Sequence, residues 1–204
     1  VLIVDDHPLV LETLARRGFS DPATVSAFLD PTQYTPASPF DLPDMEKAVI
    51  RTATALKDHQ HVLIWGDFDV DGQTASALLV SALRALDADV RYYIPHRLDE
   101  GHGVHIPRLR AHIDNGTQLI ITCDTGVAAH DAINYAQGRG VDVIVTDHHQ
   151  LPETLPDAHA VVNPQRLDAD HPARTLPGVG CAHQFILALY AHLGRDDDLT
   201  HLLD

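Results

Sequence analysis

The stretch HVLIWGDFDVDG, residues 61–72, joins four consecutive apolar positions, Val62 to Trp65, to three aspartates at alternate positions, Asp67, Asp69 and Asp71. A short, uninterrupted apolar run bounded by glycine is the pattern of a strand buried on both faces, the kind found inside parallel sheets. Carboxylates packed at alternate positions directly beyond such a strand repel one another unless a cation lies between them. The stretch therefore predicts a buried strand that delivers a divalent metal site at its carboxyl end. Asp71-Gly72 has a second reading, as the turn and N-cap of a helix beginning near Thr74.

Working outward, the same alternation of strand, turn and helix repeats. Apolar strands are expected at 61–65, 89–94, 119–123, 141–146 and 158–162, and helical stretches at 74–86, 106–115 and 128–138. A last helix, 181–193, follows the turn Gly178-Val179-Gly180. This predicts an α/β fold, a mainly parallel five-stranded sheet with helices on both faces. Before it, a short helical extension occupies residues 1–57, with helices at 8–17, after Asp21-Pro22, and from an Asp44 cap to Lys57. The expected division is a lead-in of 1–57 and a main domain of 58–204.

In a parallel sheet all carboxyl ends share one edge, where such folds bind ligands. Three acidic motifs fall there: Asp67/Asp69/Asp71, then Asp124 after the third strand, then Asp147-His148-His149 after the fourth. A single aspartate at a strand end is commonly a turn former or a helix cap, but three motifs on one edge point to a shared cation. Carboxylate oxygens with one or two imidazoles suit Mn²⁺ or Mg²⁺ better than zinc. Two such ions about 3.5–4 Å apart activate water and clamp a phosphoryl group, so phosphodiester hydrolysis is the reaction the motifs suggest. Other histidines, among them His59, His61, His112, His130, His192 and His201, are read as surface residues.

Composition narrows the partners. The chain of 204 residues is 45% apolar, enough for a real core, and carries a net charge of −15 from 29 acidic against 14 basic residues. Phosphate-binding faces need clustered Lys and Arg, and the only lysines are Lys47 and Lys57. A broad nucleic-acid face on this segment alone is therefore not expected. Two cysteines, Cys123 and Cys181, are too few for a disulfide framework or a thiolate zinc site, which favours a reducing cytoplasm. No apolar run reaches membrane-spanning length. The opening VLIVDDHPLV imitates a response-regulator receiver, but Thr52-Ala53-Thr54 stands where a phosphoacceptor aspartate belongs and no lysine follows Lys57.

The ordered set GDFDVDG, TCDTGV and VTDHH resembles the DHH phosphoesterase superfamily, and within it the RecJ branch of single-strand-specific 5′→3′ DNA exonucleases. RRGFSDPATVSAFLDP, PFDLPDMEKAV, IPHRLDEGHG, VVNPQR and LPGVGCAHQF extend the likeness over essentially the whole chain. The resemblance implies that Asp67, Asp69, Asp124 and His148 are metal ligands for two Mn²⁺ or Mg²⁺ ions, with Asp124 bridging them. It makes His149 the group facing the scissile phosphate and Asp147 the orienter of the histidine pair. Arg97, Gly101, His102 and Gly103 would lie beside the substrate, Arg97 as a phosphate contact or, on the alternative reading, in a surface salt bridge. Asn163-Pro164 would be a structural turn. The implied activity belongs to DNA repair and recombination, with single-stranded DNA gripped by domains outside this chain and repair proteins as further partners.

Three departures from the branch qualify what is carried over. Leu63 and Trp65 stand near where relatives often have a histidine before the first aspartate, and His102 stands where the branch commonly has tyrosine. A further aspartate ligand is expected beyond Asp204, so this segment reads as the N-terminal part of a larger enzyme, able to fold but weak as a nuclease by itself. Two alternatives remain within the superfamily: a phosphodiesterase of short oligonucleotides or cyclic dinucleotides, and an inert scaffold.

Overall fold

The computed structural model describes residues 7–33 and 36–195. The opening run with Asp5-Asp6, the acidic run Asp196-Asp197-Asp198 and His201 lie outside the described residues. The chain divides into two units, Val1–Ala37 and Ser38–Asp204. The first unit holds α1 (Pro8–Arg16) and α2 (Pro22–Leu29). Each starts on a proline, whose missing N–H costs nothing at that position. The Asp21 carboxylate accepts the Thr24 N–H at 2.9 Å to cap α2. Phe19 and Phe28 pack with ring centroids 4.6 Å apart.

The second unit runs α3 (Met45–Lys57), β1 (Val62–Trp65), α4 (Val70–Ala85), β2 (Val90–Tyr93), α5 (Ile106–Asp114), β3 (Leu119–Cys123), α6 (His130–Gln137), β4 (Asp142–Thr146), β5 (Ala160–Val162) and α7 (Gly178–Leu193). The five strands are all parallel, in the order β2-β1-β3-β4-β5, so the sheet expected from the apolar runs is the one observed. Alternation along each strand sorts the core into two layers. Ile64, Ile121, Ile144 and Ala160 face the layer shared with α3, α4 and α7, where Leu79, Leu83, Phe185 and Leu189 are buried. Trp65, Val145 and Val161 face the other layer, with Leu109 of α5 and Ile133 of α6.

α3, grouped with the lead-in by the sequence pattern, packs against α7 and β5 inside the second unit. Two helices start earlier than their composition suggests. α4 begins at Val70 rather than near Thr74, because the Asp69 carboxylate caps it by accepting the Gly72 N–H at 3.0 Å. α7 begins at Gly178, so Gly178-Val179-Gly180 is a first helical turn and not a loop. His112, read as a surface residue, instead lies half-buried beside Trp65 and Tyr93, with ring centroids 6.3 and 5.1 Å away.

Asp44 occupies the N-cap position of α3 but does not cap it. Its backbone is left-handed, with φ +61°, and its side chain makes no capping bond. The carboxylate instead accepts the Val161 N–H at 3.2 Å and the Arg166 guanidinium at 2.7 Å, tying the start of α3 to the edge strand. Burial pushes the Asp44 carboxyl up, but the Arg166 hydrogen bond and charge outweigh it and hold the pKa below the ordinary value. A depressed carboxylate stabilises the fold above its unfolded pKa of about 3.9, and that stability disappears as pH falls through the lower folded value. Asp44→Ala should accordingly cost about 1–3 kcal/mol at pH 7, as expected when one partner of a part-buried hydrogen-bonded pair is removed. Urea titrations at descending pH should show the deficit intact down to about pH 4 and shrinking below it. An equal deficit at pH 7 and at pH 3 would refute the ionic tie.

Candidate metal centre

The strand order reverses between β1 and β3, and open parallel sheets bind ligands in the crevice at that switch point. β1 ends in Asp67 and Asp69, and β3 ends in Asp124. Their carboxylate oxygens lie within 4.8 Å of one another. Beyond β4, His148 and His149 bring ring nitrogens within the same distance of Asp124 and of each other. Asp124 is therefore the one carboxylate common to both groups.

Its surroundings explain that position. Asp124 is left-handed, with φ +60°, a conformation in which aspartate is tolerated far better than branched residues. The backbone N–H donates to the Thr146 carbonyl at 3.0 Å. On its other side the carboxylate lies against the Cα of Gly178; a Cβ there would come within 2.5 Å of Oδ1. Gly72 lets α4 come as close to the backbone of Asp67, since a Cβ on it would lie 2.6 Å from the Asp67 carbonyl oxygen.

The electrostatics are those of a site built for a cation. Asp67 and Asp124 are each only 2% exposed, and among the described residues Oδ1 of each finds no hydrogen-bond donor. His148 Nε2 lies 3.1 Å from Asp124 Oδ1 without forming a hydrogen bond to it. Buried carboxylate oxygens left unbonded are costly in any fold. Burial, then the charges of Asp71 and Asp69, push the Asp124 carboxyl up to about 7. Hard oxygen donors with imidazoles at the margin fit Mg²⁺ or Mn²⁺, and a dication among them would reverse that shift.

Asp147 is different in kind. It is buried and fully bonded: Oδ2 accepts the Val127 N–H at 2.9 Å, and Oδ1 accepts the amides of His148 and His149 at 2.7 and 3.1 Å. Oδ1 also meets His149 Nδ1 at 2.7 Å. This leaves Nε2 as the ring nitrogen of His149 that Asp147 does not engage. The bond to Asp147 raises the His149 pKa to about 9 against the opposing effect of burial. Asn163, which sequence reading treats as a structural turn, donates its amide to the His149 carbonyl at 3.0 Å and so steadies the pair from behind.

The β2–α5 loop forms the opposite wall. Glu100 staples it, bonding the Tyr93 hydroxyl at 2.7 Å, the His96 N–H at 2.7 Å and the Arg108 guanidinium at 2.6 Å. Trp65 Nε1 donates to the Gly103 carbonyl at 3.2 Å, and both Gly101 and Gly103 have positive φ, which explains glycine at each. His102 Nδ1 thereby sits 2.9 Å from Asp67 Oδ2, with its ring 4.1 Å from that of Phe68. Arg97 lies over the other residue of that stack, 4.9 Å from the Phe68 ring centroid, and no carboxylate among the described residues pairs with it. A cavity of about 580 Å³ opens between this loop and the segment 124–129, reaching Asp147 and His149.

Comparison with known proteins agrees with this arrangement. Residues 61–203 match the model of the DHH family, N-terminal domain. The chain belongs to the DHH family. The single-stranded-DNA-specific exonuclease RecJ of Haemophilus influenzae is 39% identical over 92% of this chain, and that of Bacillus subtilis 37% over 96%. The DHH chain spans 32% and 25% of those relatives' lengths. A crystal structure of exonuclease RecJ bound to manganese matches with a TM-score of 0.71 at 37% identity, covering 78% of this chain and 40% of that one. RecJ from Thermus thermophilus in complex with Mn²⁺ also gives 0.71, at 32% identity over 89% of this chain and 24% of its own.

Of the site residues read from sequence, Asp67, Asp69, Asp124, His148, His149 and Asp147 come together directly. Arg97, Gly101, His102 and Gly103 form the facing loop. Sequence reading missed Gly178, Phe68 and the part played by Asp71. The raised Asp124 carboxyl carries a stability consequence. A group whose folded pKa exceeds its unfolded pKa of about 3.9 lowers stability as pH rises toward the folded value of about 7. Asn tolerates the same left-handed backbone, so Asp124→Asn should make the metal-free protein more stable at pH 7.5 by upwards of about 1 kcal/mol, with no gain near pH 4. Addition of Mn²⁺ should raise the melting temperature of the wild type and leave that of Asp124→Asn nearly unchanged. Thermal melts in EDTA and in Mn²⁺ would test both; a metal-free wild type as stable as the variant at pH 7.5 contradicts the assignment.

Proposed function

We propose that this chain carries the catalytic core of a metal-dependent phosphodiesterase that degrades single-stranded DNA from the 5′ end. The observation that carries the reading is Asp124, buried at the switch point with Oδ1 reached by no hydrogen bond from the described residues, carboxylates on one side and the imidazole pair on the other. The likeness to exonucleases named RecJ over nearly the whole chain supports the substrate class. An inert scaffold would not be expected to keep every donor of both groups in place.

In this reading Asp67, Asp69, Asp124 and His148 would hold Mn²⁺ or Mg²⁺, with Asp124 the carboxylate common to both groups of donors. When bound, the ions supply Lewis acidity to the phosphate and lower the pKa of water. The chain's own residues do the rest. Asp147 fixes the tautomer and orientation of His149 by taking its Nδ1. His149 Nε2 then faces the cavity, placed to donate to the phosphate or to the leaving oxygen. Arg97, held over the Phe68 ring beside the first acidic motif, offers a guanidinium to a neighbouring phosphate. With no cluster of basic residues to set against a charge of −15, the grip on the rest of the strand is assigned to parts of the protein outside this chain. Among the described residues no helix is long and apolar enough to cross a membrane. A cytoplasmic location accords with Cys123 and Cys181, both unpaired and buried.

The test uses the full-length protein on 5′- and 3′-labelled single strands and on duplex. Wild type should release mononucleotides from the 5′ end of single strands in Mn²⁺ and stop on chelation. His149→Ala should lower the rate about 10²–10⁴-fold, the usual contribution of a positioned general acid. Loss of label from the 3′ end first, or equal attack on duplex, would defeat the proposal.

A further inference from the structure

α7 starts without a cap of its own: Pro177 precedes it and makes no side-chain bond to the first turn. Its first two amides are satisfied from far away in sequence. Asp71, in the first turn of α4, accepts the Gly178 N–H at 2.8 Å on Oδ2 and the Val179 N–H at 2.6 Å on Oδ1. Both carboxylate oxygens are thus engaged by backbone, and Asp71 belongs to neither group of donors able to share an ion. Gly178 is also the residue whose Cα lies against the Asp124 carboxylate, beside the buried Oδ1 that no hydrogen bond reaches.

We infer that Asp71 is a positioning residue of the metal centre: by holding the two leading amides of α7 it fixes the wall against which Asp124 is aimed. The inference rests on the metal-binding reading given above. Two physical consequences follow from the geometry. While Asp71 occupies the Gly178 and Val179 amides, those donors cannot turn onto the adjacent Asp124 carboxylate and compete with a cation for it. While α7 is held, its glycine keeps the distance that leaves Asp124 in its left-handed backbone. Asp71 Oδ2 also stands 3.7 Å from His148 Nε2, so the same carboxylate borders the imidazole that shares Asp124. The third aspartate of GDFDVDG is therefore neither a ligand nor a cap for its own helix; it latches the first acidic motif to the LPGVG segment.

Mn²⁺ titration by calorimetry on the purified chain, with EDTA-treated protein and circular dichroism to confirm folding, separates the alternatives. Asp71→Ala and Asp71→Asn should each weaken Mn²⁺ binding about 10–100-fold, the range for groups that orient metal ligands. Asp71→Glu, which keeps the charge but displaces the oxygens, should also bind more weakly than wild type. Tyr190→Phe is the control, since it removes a hydrogen bond from α7 to the Ala82 carbonyl of α4 at 2.9 Å, remote from the metal centre. It should lower thermal stability and leave Mn²⁺ affinity unchanged.

Reciprocity supplies a test on wild type alone: if the latch favours the ion, the ion must favour the latch by the same factor. Hydrogen exchange at the Gly178 and Val179 amides should therefore slow on adding Mn²⁺ by more than the general slowing seen in α3. Wild-type affinity in Asp71→Ala, or in Asp71→Glu, or unaltered exchange at the two amides, would overturn the inference. So would an equal loss of affinity in Tyr190→Phe. Absence of Mn²⁺ binding by wild type would instead remove the metal reading itself.

Discussion

The carboxylate of Asp124 is withdrawn from water among other acidic side chains, with one oxygen that no hydrogen bond reaches. A fold can keep such a group only if the surrounding structure fixes it and something compensates its charge. The parallel sheet supplies the first condition, because β1, β3 and β4 end side by side and their loops cannot avoid meeting. Gly178 and Gly72 supply the second part of the fixation, since the first lets α7 approach the Asp124 carboxylate, and the second lets α4 approach the Asp67 backbone, more closely than any side chain would permit. The cation that completes the balance is thus implied by the packing, not only by the type of residues present.

Much of this fold is legible in the amino-acid sequence, for a physical reason: strands buried on both faces must be apolar throughout. Leu119–Cys123 is read with its true bounds on that ground alone. The ends of helices are less legible, because what starts a helix is often not local. Val70-Asp71-Gly72 and Gly178-Val179-Gly180 look like turns, yet both are first turns of helices. The interaction that satisfies α7 joins positions 107 residues apart, and no local window contains it. Asp44 shows the converse: its residue type and position suggest a cap, while a left-handed backbone sends the carboxylate to β5 instead.

The candidate site divides along the same line. Its donors could be named from motifs, since Asp-x-Asp and Asp-His-His are dense in ligating atoms. Their division of labour could not. Asp147 and Asp124 are both buried aspartates at strand ends, but one accepts backbone and ring N–H groups on both oxygens and the other keeps an oxygen that no donor of the described residues satisfies. That contrast distinguishes an orienting carboxylate from one prepared for an ion, and only the three-dimensional arrangement contains it. Phe68 lies within the best-read motif of the chain and still escapes notice, because its partners Arg97 and His102 come from a loop beyond the next strand.

A net charge of −15 is at first sight a poor match for a polyanionic substrate. On the proposed reading, the cluster of Asp67, Asp69, Asp71, Asp124 and Asp147 makes the mismatch most severe where a phosphate would come. Each divalent ion cancels two of those charges, so the loaded edge is close to neutral, while the metal-free edge repels phosphate. His149, which lines the cavity, then biases the nearly balanced edge toward an anion, which it could not do against the uncompensated cluster. On the proposed reading the ions would be a condition of substrate binding as well as of chemistry, which makes an acidic edge compatible with a nucleic-acid substrate.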